Sequence, residues 1–194
     1  MFLRCHQIKL KRKYRMIDKK PTSNKIINQV TGQTIIFKHA PGRNAILEME
    51  THYQSSSAEP PMHFHPNQEE HFEVLDGDLM IRYKDRLVNY EKGSMITIKA
   101  NTAHAMWNPG FTETKVKWHV IPALDTEELL RKMCEIANSG KVDRNGRPRI
   151  LILLYMLRKY SSSFRLCKPN FRLLSCVTFF LGPIFYVKQF RNRY

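Results

Sequence analysis

Several things are missing from this 194-residue chain, and each absence closes off a class. No apolar run reaches the roughly 18 uninterrupted residues that a simple membrane-spanning helix requires. The four cysteines, Cys5, Cys134, Cys167 and Cys176, fall in no metal or redox spacing, so they fit a reducing, cytoplasmic setting better than a disulfide framework. Residues 1 to 15 hold basic side chains throughout and no apolar stretch of signal-peptide length, which argues against secretion and leaves Met16 as an alternative start. No Ser-His-Asp or Cys-His arrangement has a coherent spacing, so covalent nucleophilic catalysis is unsupported. From Arg144 to Tyr194 there is no acidic residue, against eleven basic ones.

The net charge of +15 is unevenly spread. Residues 1 to 25 carry net +8, residues 26 to 122 net -2 and residues 123 to 194 net +9. Three parts are therefore expected: a basic flexible arm over 1–25, a nearly neutral β domain over 26–122, and a basic helical C-terminal extension over 123–194. A cationic extension favours an anionic surface, but no recognition helix or stacking sheet accompanies it, so no nucleic-acid partner is expected.

Within the neutral part, short alternating segments recur at the spacing of an antiparallel sandwich or barrel. Ile26 to Val30 and Thr34 to Lys38 read as a first hairpin. Ala45 to Tyr53 then sets Leu47, Met49, Thr51 and Tyr53 on one face. From Glu70, the face shared with Phe72 and Val74 is apolar, so Glu70 points inward and Glu69 outward. Asp76-Gly77-Asp78 is a hairpin turn. The strands Leu79 to Tyr83, Arg86 to Tyr90, Met95 to Ile98, Ala103 to Trp107 and Thr114 to Ile121 follow. Beyond Pro122, Asp125 reads as the N-cap of a helix running to about Asn138, with Leu124 and Leu129 as a staple. Ile150 to Leu157 reads as a short buried helix. The mostly apolar stretch from Leu173 to Val187, within a last segment from Phe171 to Phe190, suits either packing on the barrel or a dimer interface, or peripheral membrane contact through its basic flanks.

One stretch carries chemistry: Met62-His63-Phe64-His65-Pro66-Asn67-Gln68-Glu69-Glu70. In an extended strand His63 and His65 face the same way. With Glu70 and the downstream His104 they make a mixed nitrogen and oxygen set suited to a divalent transition metal, Fe, Mn, Ni or Zn. Gln68, Asn108 or a backbone carbonyl are candidates to orient the second ring nitrogens. Leu47, Met49, Tyr53, Phe72, Val74, Met106 and Trp118 are expected to line an apolar pocket around it, with Tyr53 as a possible proton donor.

Residues 63 to 77 read His-x-His-x4-Glu-x6-Gly, and residues 93 to 108 read Gly-x10-His-x3-Asn. These resemble the two motifs of the cupin superfamily, with His63, His65, Glu70 and Gly77 in the first and Gly93, His104 and Asn108 in the second. Ser57 stands where the first motif usually opens with Gly, and Lys99 and Asn101 stand where the second usually has Pro and Gly. Asn101 is suited to keep the turn because Asn tolerates a positive φ. The resemblance implies a mainly β fold, an antiparallel double-stranded β-helix or jelly roll with C-terminal helices, whose mouth holds His63, His65, Glu70 and His104. It also implies a small-molecule ligand or substrate, a homodimer, and, for an enzyme, dioxygenase, decarboxylase or isomerase chemistry on a small oxygenated molecule. The competing expectation is a non-enzymatic sensor or binding module.

Overall fold

Two antiparallel sheets face each other across an apolar interior. The computed structural model describes residues 23–39, 42–143 and 147–168. Its strands are β1 (Lys25–Ile27), β2 (Thr34–His39), β3 (Leu47–Tyr53), β4 (His63–Phe64), β5 (Glu69–Asp76) and β6 (Leu79–Tyr83). They continue as β7 (Leu87–Tyr90), β8 (Met95–Ile98), β9 (His104–Trp107), β10 (Thr114–Ile121) and β11 (Arg165–Leu166). Two helices, α1 (Thr126–Asn138) and α2 (Ile150–Lys159), lie between β10 and β11. The six-stranded sheet runs β1-β2-β3-β10-β5-β8 and the five-stranded sheet β11-β4-β9-β6-β7. This is the mainly β, jelly-roll architecture with C-terminal helices that the sequence led us to expect.

Strict alternation builds the larger sheet. In β3, β5 and β10 every second residue is buried, because successive side chains of a strand point to opposite faces. Register then stacks the buried residues in rows: Met49 lies opposite Trp118 and Trp118 opposite Phe72. The next row sets Leu47 opposite Val120 and Val120 opposite Glu70, which places one carboxylate in an otherwise apolar row. The β5–β6 turn depends on Gly77, whose φ is +73° and where a Cβ would come within 2.8 Å of the Glu113 carbonyl oxygen. Asn101 does take the left-handed conformation, at φ 63°.

The structure corrects several readings at the edges. The first hairpin strand ends at Ile27 rather than Val30, because the Asn28 side chain accepts hydrogen bonds from the amides of Val30 and Thr31 and turns the chain. Asp125 precedes α1 but makes no side-chain cap; its carboxylate pairs with Arg43 instead. Helix α2 is not buried all round. Leu154, Met156 and Leu157 are covered, whereas Ile150, Leu151 and Tyr155 are exposed. The covered side meets α1 in a second apolar cluster of Leu129, Ile136, Met156 and Tyr160, against which Phe164 packs. Helix α1 is tied to β1 through Cys134 and Asn138, which both donate to the Ile27 carbonyl. Among the described residues no helix is long and apolar enough to cross a membrane. The stretch Leu173 to Val187 and residues 1–22 of the expected arm over 1–25 lie outside the described residues, and the last residue of that arm, Lys25, opens β1.

Candidate metal centre

The four predicted ligands come from three strands and the loop after β4. His63 begins β4 and pairs across the sheet with His104, which begins β9. His65 follows β4 directly, and its loop is held by Asn101: the Asn101 amide donates to the His65 carbonyl at 2.9 Å and its side chain to the Pro66 carbonyl at 3.2 Å. Glu70 enters from β5 on the opposite sheet. Glu69, on the outer face, bonds His71 at 2.8 Å.

The side chains converge. The imidazole centroids lie 4.5 Å apart for His63 and His104, 5.3 Å for His63 and His65, and 5.5 Å for His65 and His104. One ring nitrogen from each lies within 4.8 Å of the others. Glu70 Oε2 sits 3.3 Å from His65 Nε2 and 3.1 Å from His104 Nε2. Adjacent ligands on a metal with bonds of about 2.1 Å stand roughly 3.0–3.4 Å apart, so these two separations match neighbouring corners of a coordination polyhedron.

Hydrogen bonding decides which atoms face inward. Nδ1 of His63 donates to the Pro61 carbonyl at 3.0 Å, Nδ1 of His65 to the Ser163 carbonyl at 2.6 Å, and Nδ1 of His104 to the Thr102 carbonyl at 2.9 Å. A carbonyl oxygen only accepts, so each Nδ1 carries its proton, and a ring in its neutral form presents a bare lone pair at Nε2. On the fourth ligand, Trp118 Nε1 donates to Glu70 Oε1 at 3.1 Å, leaving Oε2 as the inward oxygen. The Nε2 atoms of His65 and His104 and Oε2 of Glu70 are buried without a hydrogen-bond partner. Buried groups of this kind are costly unless something satisfies them. Three electron-rich atoms facing one another at about hydrogen-bond range are satisfied together by a single cation, and the donor set fits one.

Charge behaves accordingly. Burial would raise the Glu70 carboxyl, but the surrounding imidazoles, led by His65 and His104, outweigh it and hold the group below its usual range. His63 is pulled down to about 3, first by burial and then by the neighbouring rings of His104 and His65. The site therefore presents a carboxylate with a neutral His63 beside it, a nitrogen and oxygen donor set of the kind that holds a divalent cation. The Tyr53 hydroxyl is raised by burial and by the Glu70 charge, so it keeps its proton and stays a donor.

Residues 49–122 match the family model described as a cupin domain. The chain carries a cupin domain. Beyond it, an oxidoreductase of Arthrobotrys oligospora is 36% identical over 66 residues, 32% of this chain and 26% of the relative; the chain thus spans about a quarter of that protein. Similar solved structures include a sugar phosphate isomerase of the cupin superfamily from Silicibacter pomeroyi. It is 14% identical at a TM-score of 0.46 and covers 52% of this chain and 71% of its own. The polyketide cyclase of Streptomyces resistomycificus is 17% identical at a TM-score of 0.42, covering 50% and 67%.

The cupin domain places the other candidates as follows. Met49, Tyr53, Phe72, Met106 and Trp118 are all buried in the main core, with Leu47 and Val74. Phe72 stacks on Trp118 at 5.7 Å, and Trp118 in turn donates to Glu70. Backbone carbonyls, not Gln68 or Asn108, orient the histidines. Gln68 instead donates to the carbonyls of Pro122 and Ala123 and to Thr126 Oγ1, locking β5 to the start of α1. Asn108 donates to the carbonyls of Tyr53, Gln54 and Thr112 and accepts from the Gly110 amide, which fastens the far loops.

Sequence reasoning missed Ser163 and Phe164. The Phe164 ring stacks on His63 at 4.9 Å and meets His65 edge-on at 6.0 Å. The stretch Ser161-Ser162-Ser163-Phe164-Arg165-Leu166 is too short and too polar at its start to announce a strand, and nothing in it points back to residue 63.

Proposed function

We propose that the cupin domain binds one divalent transition metal, Fe, Mn, Ni or Zn, through Nε2 of His63, His65 and His104 and Oε2 of Glu70. The observation that carries this reading is the set of buried, unpartnered Nε2 and Oε2 atoms aimed at one another. When bound, such a metal supplies Lewis-acid polarisation of an oxygen on a small organic molecule, or a centre for dioxygen. Four protein ligands leave one or two positions free on a metal that prefers five or six partners. The chain's own residues then do three things. Backbone carbonyls fix the imidazole tautomers, Trp118 fixes the carboxylate, and Met49, Phe72 and Met106 exclude water. Tyr53, buried and kept protonated by that burial and by the Glu70 charge, is the available proton donor.

The reaction class we favour is oxidation of a small oxygenated substrate, supported by the oxidoreductase relative over its matched segment. Metal analysis of the purified protein tests the site: about one equivalent is expected in the parent protein and close to none in His63→Ala and His104→Ala. Equal metal in all three removes the site. Dioxygen uptake with enediols, catechols and flavonols tests the reaction class. A metal-loaded protein that consumes none of them, and yet binds them, leaves a binding module instead.

A further inference from the structure

The segment after α2 returns to the barrel and touches the metal cage at more points than a passing connection requires. Its strand β11 extends the five-stranded sheet by pairing Arg165 with Phe64 and Leu166 with His63. The Cys167 amide donates to the Met62 carbonyl at 3.0 Å. Asn67 Nδ2 donates to the Ser162 carbonyl at 3.0 Å. The Asp125 amide donates to Ser163 Oγ at 3.2 Å, and Ser163 is fully buried. These bonds clamp the segment between the His65 loop and the start of α1.

Two contacts reach the cage itself. The Ser163 carbonyl takes the His65 Nδ1 proton at 2.6 Å, across 98 positions of chain. Phe164 lies over His63 and against His65, and its other side packs into the α1–α2 cluster. The His63 and His104 carbonyl partners, by contrast, are each two residues away. His65 alone depends on a distant part of the chain for its tautomer.

We propose that residues 161–168 form a strap whose docking and whose metal binding reinforce each other, with Ser163 and Phe164 as positioning residues for His65 and His63. The inference rests on the metal reading above. A metal at Nε2 withdraws charge from the ring and makes Nδ1–H a stronger donor, so the bond to Ser163 tightens when the cage is filled. Linkage then requires the converse: a docked strap raises metal affinity by the same factor.

Hydrogen exchange on the full chain, with and without added Zn2+, reads the coupling directly. Exchange over 161–168 is expected to slow on metal addition, while β7, at the far edge of the same sheet, is unchanged. Phe164→Ala and, independently, Asn67→Ala are expected to weaken Zn2+ binding about tenfold or more in a chelator competition, with Phe164→Tyr restoring most of it. Asn67 is exposed and donates to the strap at the Ser162 carbonyl, so its variant leaves the core intact. If the parent binds Zn2+ but exchange over 161–168 does not change and both alanine variants keep parental affinity, the strap proposal is overturned and the metal site stands. If the parent binds no Zn2+, both fall.

Discussion

The six-stranded sheet contributes one of the four proposed ligands, and the five-stranded sheet with the loop after β4 contributes three, and the two secure them by different means. Glu70 is the second residue of an eight-residue strand paired on both sides, with β10 and β8, and a side chain from β10, Trp118, aims it. His63 and His104 begin strands two and four residues long and His65 lies in the loop just after the first of them, and backbone carbonyls aim all three. A carboxylate placed by strand periodicity is as rigid as the sheet. An imidazole placed by a loop carbonyl is as rigid as the loop, and loops open more readily than central strands. The carboxylate side is thus the fixed jaw of the cage and the imidazole side the adjustable one.

Breaking either jaw outright should have the largest effect. Glu70→Gln and His104→Ala are each expected to lower metal affinity more than about 100-fold, since loss of a mere orienting partner already costs about 10–100-fold; competition against a coloured chelator measures it. Trp118→Phe keeps the stack on Phe72 but strips Glu70 Oε1 of its buried donor. It should cost about 1–3 kcal/mol in urea unfolding and about tenfold in metal affinity. A fixed jaw that tolerates Trp118→Phe with no change in affinity would erase the contrast between the sheets.

Acid should separate the jaws more gently. His63 is held far below its ordinary value, so below about pH 6.5 the unfolded chain binds a proton that the folded chain refuses until about pH 3. Glu70, also held low, contributes stability that is present above its unfolded value and lost as pH falls through its folded one. Both act in the same direction: metal-free protein loses stability as pH drops from about 6.5 toward 3, and His63→Gln flattens the upper part of that slope in urea titrations at stepped pH. The smallest effect is expected at Met95, 81% exposed at the β8 edge of the rigid sheet. Met95→Lys should move stability by no more than about 0.5 kcal/mol and leave metal content unchanged.

The same contrast governs what the sequence disclosed. Glu70 was legible because alternation through Phe72 and Val74 set its phase, and the two cupin motifs supplied His63, His65 and His104 at their spacings. Asn101 kept its turn for the reason its side chain predicts. What the letters concealed was whatever depends on main-chain atoms or on chain returning from afar. No residue type marks a carbonyl as a tautomer-setting acceptor, so Pro61, Thr102 and Ser163 were invisible in that role. Asp125 carried every local mark of a cap, yet Arg43, brought up by the fold, took its carboxylate.

Chain order adds one consequence of the bond between His65 and Ser163. On the ribosome the last of the four ligands is made at position 104, whereas the carbonyl that orients His65 follows only at position 163. A chain that ends after β10 but before position 163 carries all four candidate ligands and lacks the carbonyl that takes the His65 Nδ1 proton, so on the proposed reading the cage is completed by the strap and not by the closure of the barrel.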